Sequence, residues 1–585
     1  MTTGYAPVPD PSALPVPPVM PSRGILERFL REPNAIWMRE MRQSARLGRT
    51  PWILFSITLT ISLLMCAIGG LAAATEVGPA TIGSILFQTF FSIAFFVVAV
   101  IGPAVAANGI ASEREGRTWE AVLLTGLSPK VITRGKFLAA YTTISLYIVV
   151  LAPVGALSFL FGGVTATEVL IAFVYLFLIA ALFVAFGLAV SSLMTSMRLA
   201  IVTTLTLAIL IALVLYVVVG LLGSFPIHAL WNEVPDWYPV WLPIAYPRAQ
   251  FGVEYVLFLV VIPLLSILIP TWFLYETTIA NLTGENEDRS TRLKAWFSVC
   301  TPLFCLACAA PGVVADDSKT ALVVTVTGTL VYSIHIGCSA MLFAFDPPGP
   351  SRRVRVHWGR ERAGVFRRFF GPGLAKTSIL VTLFGFFGIV VIAATAILGM
   401  YLRGAALAAK QEQQIFFFAL YMAPFFVFVV GLVSWLRSRG NTPWVTRLLA
   451  SAILLLVLAG PWIVAAIGGI LAARTGTSRG FLAIGSPSPI YLAFMLTLLD
   501  GTVSPADSEL IGVGAACGLV WGVVGLMLLS VAARKCHRIV VAHDAAVAQA
   551  EEALRAEDEA LERAATAGSA VAPRDVPAED ASSPA

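Results

Sequence analysis

Twelve stretches of about 18 or more mostly apolar residues dominate the chain. They fall at about 52–74, 82–107, 137–162, 168–194, 200–222, 253–275, 295–315, 320–343, 377–400, 415–436, 447–472 and 510–533. A helix needs about 20 such residues to cross the hydrocarbon core of a bilayer. Lipid offers no partner to an unpaired backbone amide, so each stretch has to satisfy its own backbone as a helix. The sequence therefore predicts an all-α polytopic membrane protein with about 12 transmembrane helices. Only 12% of the 585 residues are charged, about half the share of a soluble chain, which excludes a soluble globular enzyme.

An even number of spans puts both termini on one side of the membrane. Of the 39 Lys and Arg, 33 lie on the tails and loops of that side and 6 on the other, so the positive-inside rule makes both termini cytoplasmic. The net charge of +5 conceals an asymmetry, because residues 544–585 hold ten Asp or Glu against three Arg. The remaining positive belt flanks the spans and faces the lipid bilayer and its anionic headgroups. A nucleic-acid partner is not expected, since the basic residues form no stripe on a soluble module.

Loop lengths repeat along the chain. In each half, spans two and three are joined by a long basic inner loop, 108–136 and 344–376, and spans five and six by a long outer segment, 223–252 and 473–509. Two six-helix halves follow from this pattern. The expected organisation is a disordered Pro-rich tail (1–24), an amphipathic interfacial helix (25–50), a first half (51–275), a cytoplasmic linker (276–294), a second half (295–533) and an acidic helical or disordered cytoplasmic tail (534–585). Short echoes accompany the repeat: Glu113-Arg114-x-Gly116 followed by Gly126-Leu127 has a counterpart in Glu361-Arg362-x-Gly364 followed by Gly373-Leu374.

Two segments stand out for mechanism. Asn34 can cap a helix along which Arg39, Arg42, Arg46 and Arg49 recur beside Glu40, with Trp37, Met38 and Met41 on a neighbouring face. Such a helix lies on the inner membrane surface. The loop between spans two and three runs Ser112-Glu113-Arg114-Glu115-Gly116-Arg117-Thr118-Trp119-Glu120-Ala121-Val122-Leu123-Leu124-Thr125-Gly126-Leu127-Ser128-Pro129 and closes with Gly135-Lys136. It is charged, then apolar on one helical face, then broken by Gly126 and Pro129. A short helix held between two spans is shaped to dock in a cleft of a soluble partner and to pass that partner's motion to the spans.

This order of surface helix, span pair, Glu-Arg-Glu loop and Gly-Lys opening the third span resembles the ABC-2-type permeases, the membrane subunits of ABC exporters, over about residues 33–275. The resemblance implies an unidentified substrate moved across the cytoplasmic (inner) membrane of a bacterium by a multi-pass permease. It implies coupling to a separate nucleotide-binding (ATPase) subunit through Glu113, Arg114, Glu115, Gly116, Thr118, Glu120, Leu123, Leu124, Thr125, Leu127, Ser128, Gly135 and Lys136. The connecting helix would hold Arg39, Glu40, Arg42, Arg46 and Arg49, and a degenerate second coupling loop would hold Glu361, Arg362, Gly364, Gly373 and Leu374. Gly126 stands where many members have proline. Short re-entrant helices of the family would fall on 223–252, whose Trp231, Trp237, Tyr238, Trp241 and Tyr246 suit an interfacial belt.

The chain has no Gly-x-x-x-x-Gly-Lys-Ser/Thr loop, so ATP and magnesium are expected in the partner and no cofactor in this chain. It also lacks Gly-x-Ser-x-Gly and His-Glu-x-x-His, and it is read as no enzyme. Cys300, Cys305 and Cys308 have an iron-sulfur-like spacing but lie within one apolar span without a clear fourth ligand. They read as packing residues, and His335 reads as a buried imidazole bonded to a neighbouring helix. An ion-gradient transporter and a membrane anchor or mechanical transducer for an ATPase are the rival functions. One chain is expected to supply both permease halves, with a homodimer the alternative if the second half is no functional permease half.

Overall fold

A computed structural model describes residues 34–46, 48–75, 78–220, 224, 227–228, 230–231, 241–284, 286–315, 317–360, 364–402, 409–440, 442–475, 483–498 and 505–570. The chain divides into two compact units, residues 1–283 and 284–585. Among the described residues twelve helices are long and apolar enough to cross a membrane, six in each unit. This is the all-α polytopic fold that the hydropathy dictates.

The first unit opens with α1 (Ala35–Ala45), followed by α2 (Arg49–Ala74), α3 (Pro79–Glu115), the short α4 (Trp119–Leu124), α5 (Pro129–Leu160), α6 (Ala166–Leu193) and α7 (Met197–Val214). After α8 (Trp241–Arg248), a π-helical stretch (Tyr255–Val261) leads into α9 (Ile262–Leu282). The core lies where α3 crosses α5 and α6, around Phe87, Phe90, Ile110, Ile144 and Val184. Gly187 permits a close approach: a Cβ there would run into the backbone of Pro103 on α3. One turn on, the buried Ser191 hydroxyl donates to the Ala107 carbonyl at 2.6 Å and accepts from the Ala111 amide at 3.1 Å. Inside a membrane such hydroxyls join helices that hydrophobicity alone does not hold together.

The second unit comprises α10 (Thr291–Val314), α11 (Ser318–Leu342), α12 (Arg352–Arg360), α13 (Val365–Phe370), α14 (Leu374–Leu402), α15 (Ala409–Arg439), α16 (Pro443–Thr475), α17 (Pro489–Leu498) and α18 (Pro505–Ala570). Gly514, Gly518, Gly522 and Gly525 line one face of α18 and receive Phe417, Tyr421, Pro424 and Phe428 of α15. Small residues at this spacing let two backbones close on each other. His335 Nε2 lies 3.1 Å from the Thr301 hydroxyl among Phe297, Phe304 and Tyr332. All seven cysteines are unpaired, and no group of three or more His, Cys, Asp or Glu among the described residues could hold a metal ion.

Several boundaries differ from the sequence expectation. The described part of the interfacial helix is α1 alone; Arg49 begins the first span instead, because the weak helix former Gly48 separates the two. The second span does not stop near 107 but continues to Glu115. The linker expected from 276 begins later, since α9 runs to Leu282 with Thr278 and Ile279 buried. Asn281 Nδ2 donates to Ser192 Oγ at 2.8 Å there, so packing extends the helix. The tail expected from 534 is continuous with the last span, because no proline or glycine interrupts residues 534–567. At 1.5 Å per residue, α18 is about 100 Å long. The Pro-rich tail at 1–24 lies outside the described residues.

Candidate functional site

Three chain segments meet at one end of the first unit: α1, the last turns of α3 and the first turns of α5. Asn34 starts α1 by accepting the Ile36 and Trp37 amides at 3.0 and 3.3 Å while its Nδ2 donates to the Val131 carbonyl of α5 at 2.9 Å. Ile36 is buried on Gly135, where a Cβ would collide with Asn34 and Ile36. Trp37 Nε1 reaches Thr142 Oγ1 at 3.3 Å. The absence of a side chain at Gly135 is thus what seats α1 on α5.

The same surfaces carry a charge knot. Lys136 is 3% exposed, and its Nζ lies 3.0 Å from Glu113 Oε1, 3.2 Å from Glu40 Oε1 and 2.7 Å from the Gly109 carbonyl. All three ammonium donors are used. Arg39 bridges Glu40 at 2.9 Å and also contacts Glu113. Burial pushes the Glu40 carboxyl up, but Lys136 and Arg39 outweigh it and hold the group below the ordinary carboxylate range. For Arg39, burial acts downward and the two carboxylates prevail, raising it above its usual value. Two cations and two carboxylates therefore rivet α1, α3 and α5 together.

Arg114 and Glu115 fix the end of α3 to the α6–α7 connection. Arg114 Nη1 donates to the Ser192 and Met194 carbonyls at 2.8 and 3.2 Å and the guanidinium stands 5.7 Å from the Trp119 ring centroid. Glu115 accepts the Met197 amide at 2.7 Å. The chain then turns at Gly116, whose amide donates to the Ser112 carbonyl, and at Arg117, held at φ 55°. The Thr118 amide and hydroxyl both return to the Glu113 carbonyl, at 2.9 and 3.3 Å. Thr125 Oγ1 closes α4 on the Val122 carbonyl at 2.6 Å. Gly126 follows at φ +71°, an angle that proline, fixed near −65°, cannot adopt.

The coupling residues read from the sequence thus separate into two groups. Glu113, Arg114, Gly135 and Lys136 form the base, with Leu127 half-buried behind α4. Gly116, Thr118, Glu120, Leu124, Thr125 and Ser128 are exposed, Leu124 at 88%. Val122 turns inward onto the core, and the side chain of Leu123 lies outside the described residues. Of the connecting-helix residues, Arg39 and Glu40 enter the knot, Arg42 and Arg46 are exposed, and the Arg49 side chain is outside the described set. Ile36 and Thr142 were not singled out from the sequence, and Trp37 was read only as part of the helix's apolar face. The strict neighbourhood of an Asn cap with a Gly four residues after Val131 is the only trace of their contact.

The second unit has a loop of related design. Lys294, at the start of α10, is buried with its Nζ 2.8 Å from Asp346 Oδ2 and 2.7 Å from the Gly371 carbonyl, and Thr377 at the start of α14 donates to the same carboxylate. The six-residue α13 exposes Val365 and Phe366 at 84% and 83% and is followed by Gly373 at φ +152°. Gly364 caps α13 and is exposed, whereas Gly373 and Leu374 are buried; Glu361 and Arg362 lie outside the described residues. Before α13, the extra helix α12 buries Val354 and Trp358 and ties itself to α18 through Arg355, whose guanidinium grips Asp544 at 2.8 and 2.5 Å. Arg352 contacts Glu551 further along.

At the other end of the first unit, the segment expected from the sequence to be re-entrant is described in part. Arg248 at the end of α8 pairs at 3.2 Å with the fully buried Glu168, which also caps α6 through the Thr165 amide at 2.7 Å. Tyr246 and Tyr175 share a hydroxyl contact of 2.8 Å. Trp231 is buried; Trp237, Tyr238 and the side chain of Trp241 lie outside the described residues.

Twelve helices long and apolar enough to cross a membrane, six in each of two units, define a multi-pass membrane protein. Residues 36–315, a little under half of the chain, match the family described as ABC-2 family transporter protein, a likeness that supports an ABC-2-type transporter permease. The match begins at α1 and extends past the first unit through the first span of the second. No curated protein matches the chain.

Proposed function

We propose that the chain is the membrane-spanning subunit of an ATP-driven exporter in a bacterial inner membrane, with ATP and magnesium held by a separate ATPase subunit that docks on α4. One observation carries this reading: α4 projects the 88%-exposed Leu124 beside Glu120 and Thr125 from a base in which Lys136 locks three helices. A docking element must expose apolar surface to its partner, and it transmits force only if its attachment does not yield. Closure of the ATPase would push α4, and the knot would deliver that displacement to α1, α3 and α5 together as a rigid body.

The exposed Val365 and Phe366 of α13 support a second docking point, so that one chain supplies both permease halves. The test is to tag the chain, solubilise the membranes gently and measure what co-purifies and in what ratio. Two ATP-binding subunits per chain are expected. One per chain would assign docking to α4 alone in a homodimer, and none after crosslinking would overturn the proposal.

A further inference from the structure

The second unit contains a feature that ATPase docking does not use. Between α14 and α18 a groove of about 220 Å3, open along one side, is lined by Leu374, Ile379, Leu383, Leu529, Ala533 and Cys536, with Ser434 of α15 at its floor. Its walls are almost wholly apolar, and two of its hydroxyls are spent on each other, Ser378 and Ser434 at 2.7 Å. Apolar cavities of about 150 Å3 already stay dry and take up hydrocarbon. From Leu374 to Leu383 the groove runs about 13 Å along α14 at 1.5 Å per residue, a length suited to a stretch of acyl chain rather than to a compact solute.

Among the described residues no cation lines the groove itself, but cationic residues adjoin its lining residues in sequence at one end. Leu374 and Cys536 mark the end at which α14 begins and α18 leaves the apolar region. Lys376 is half-buried there, with Nζ on the Arg368 carbonyl at 2.7 Å, and α18 carries Arg534, Lys535 and Arg538 with no carboxylate between Ser530 and His543. Thr382 Oγ1, also on the groove wall, is buried without a hydrogen-bond partner, which leaves a donor for an ester carbonyl. An apolar slot ending in clustered cations is complementary to one molecule class, an anionic phospholipid.

We infer that the groove between α14 and α18 holds a single anionic phospholipid, its acyl chain between the helices and its phosphate on Lys376, Arg534 and Lys535. The site does not depend on the transport function proposed above. Ala533 is exposed at the lip, so Ala533→Trp fills the slot from its open side, and Lys376→Glu reverses one charge at the mouth without entering it.

The experiment is native mass spectrometry of the full-length chain in detergent, delipidated and then offered dioleoyl phosphatidylglycerol or dioleoyl phosphatidylcholine. One phosphatidylglycerol should survive activation that strips phosphatidylcholine, with at least a several-fold preference. Ala533→Trp should abolish that adduct and Lys376→Glu should erase the preference while leaving the protein's melting profile in place. Equal retention of the two lipids, or an adduct unchanged in both variants, would overturn the inference. A dimer that Ala533→Trp dissociates would assign the groove to a second copy of the chain and overturn it equally.

Discussion

Lys136 Nζ stands 3.0 Å from Glu113 Oε1 in a position closed to solvent, and the same ammonium reaches Glu40 on a different helix at 3.2 Å. The second unit uses the same chemistry with the elements exchanged: the lysine, Lys294, is on the first span and the carboxylate, Asp346, follows the second, 2.8 Å away. Within each unit a buried lysine–carboxylate pair anchors the end from which a short exposed helix projects.

Removing Lys136 should be costly, because it strands two carboxylates in a partly buried site. Breaking a buried ion pair from one side costs about 3–5 kcal/mol, so Lys136→Met should lower the melting temperature of the detergent-solubilised protein sharply. Adding Glu113→Gln to that variant should recover part of the loss. Strictly additive losses in a double-mutant cycle would show that the two groups do not interact.

The knot should also have a sign in pH. The folded pKa of Glu40 is depressed, so its stabilising contribution is complete above the ordinary carboxylate range, about pH 4, and is lost as pH falls through the lower folded value. Glu40→Gln should therefore melt below the wild type at neutral pH, with the gap closing on acidification. A gap that stays constant from pH 7 into the acid limb would contradict the assignment.

Leu124 contributes to no core, so Leu124→Glu should change stability by no more than about 0.5 kcal/mol. It should nonetheless reduce recovery of the ATP-binding subunit at least several-fold in co-purification. Normal recovery would remove α4 from the docking face.

Arg355 clasps Asp544 with both terminal guanidinium nitrogens, Nη1 and Nη2, and this pair ties α12 to α18. Arg355→Asp should make trypsin cut more readily at Arg352 and Arg353, and Asp544→Arg in the same chain should restore protection. Equal cleavage in all three proteins would show that the pair does not hold α12.

The spans were legible because twenty-residue apolar runs admit one solution in lipid. Their ends were not: α3 reaches Glu115 because Arg114 and Glu115 find partners on the α6–α7 connection, contacts that hydropathy does not encode. The glycines of α18 were readable as a packing face, since Gly514, Gly518 and Gly522 share one side of a helix. The charged loop between α3 and α5 was readable as a segment, but which of its residues face inward and which outward was not. Lys136 and Arg114 look like surface charges in sequence, and only tertiary placement turns them inward while leaving Leu124 outside. Likewise the charged run after residue 533 hides a single unbroken helix, because the end of the apolar stretch is not an end of the backbone hydrogen bonding.

The most direct test of coupling through α4 is to place a photo-crosslinking amino acid at Leu124 in the membrane-embedded protein and identify its adduct by mass spectrometry. An ATP-binding subunit captured at Leu124, and not from a control site at the exposed Leu160, is the predicted result. Efficient incorporation and illumination with no such adduct would contradict it.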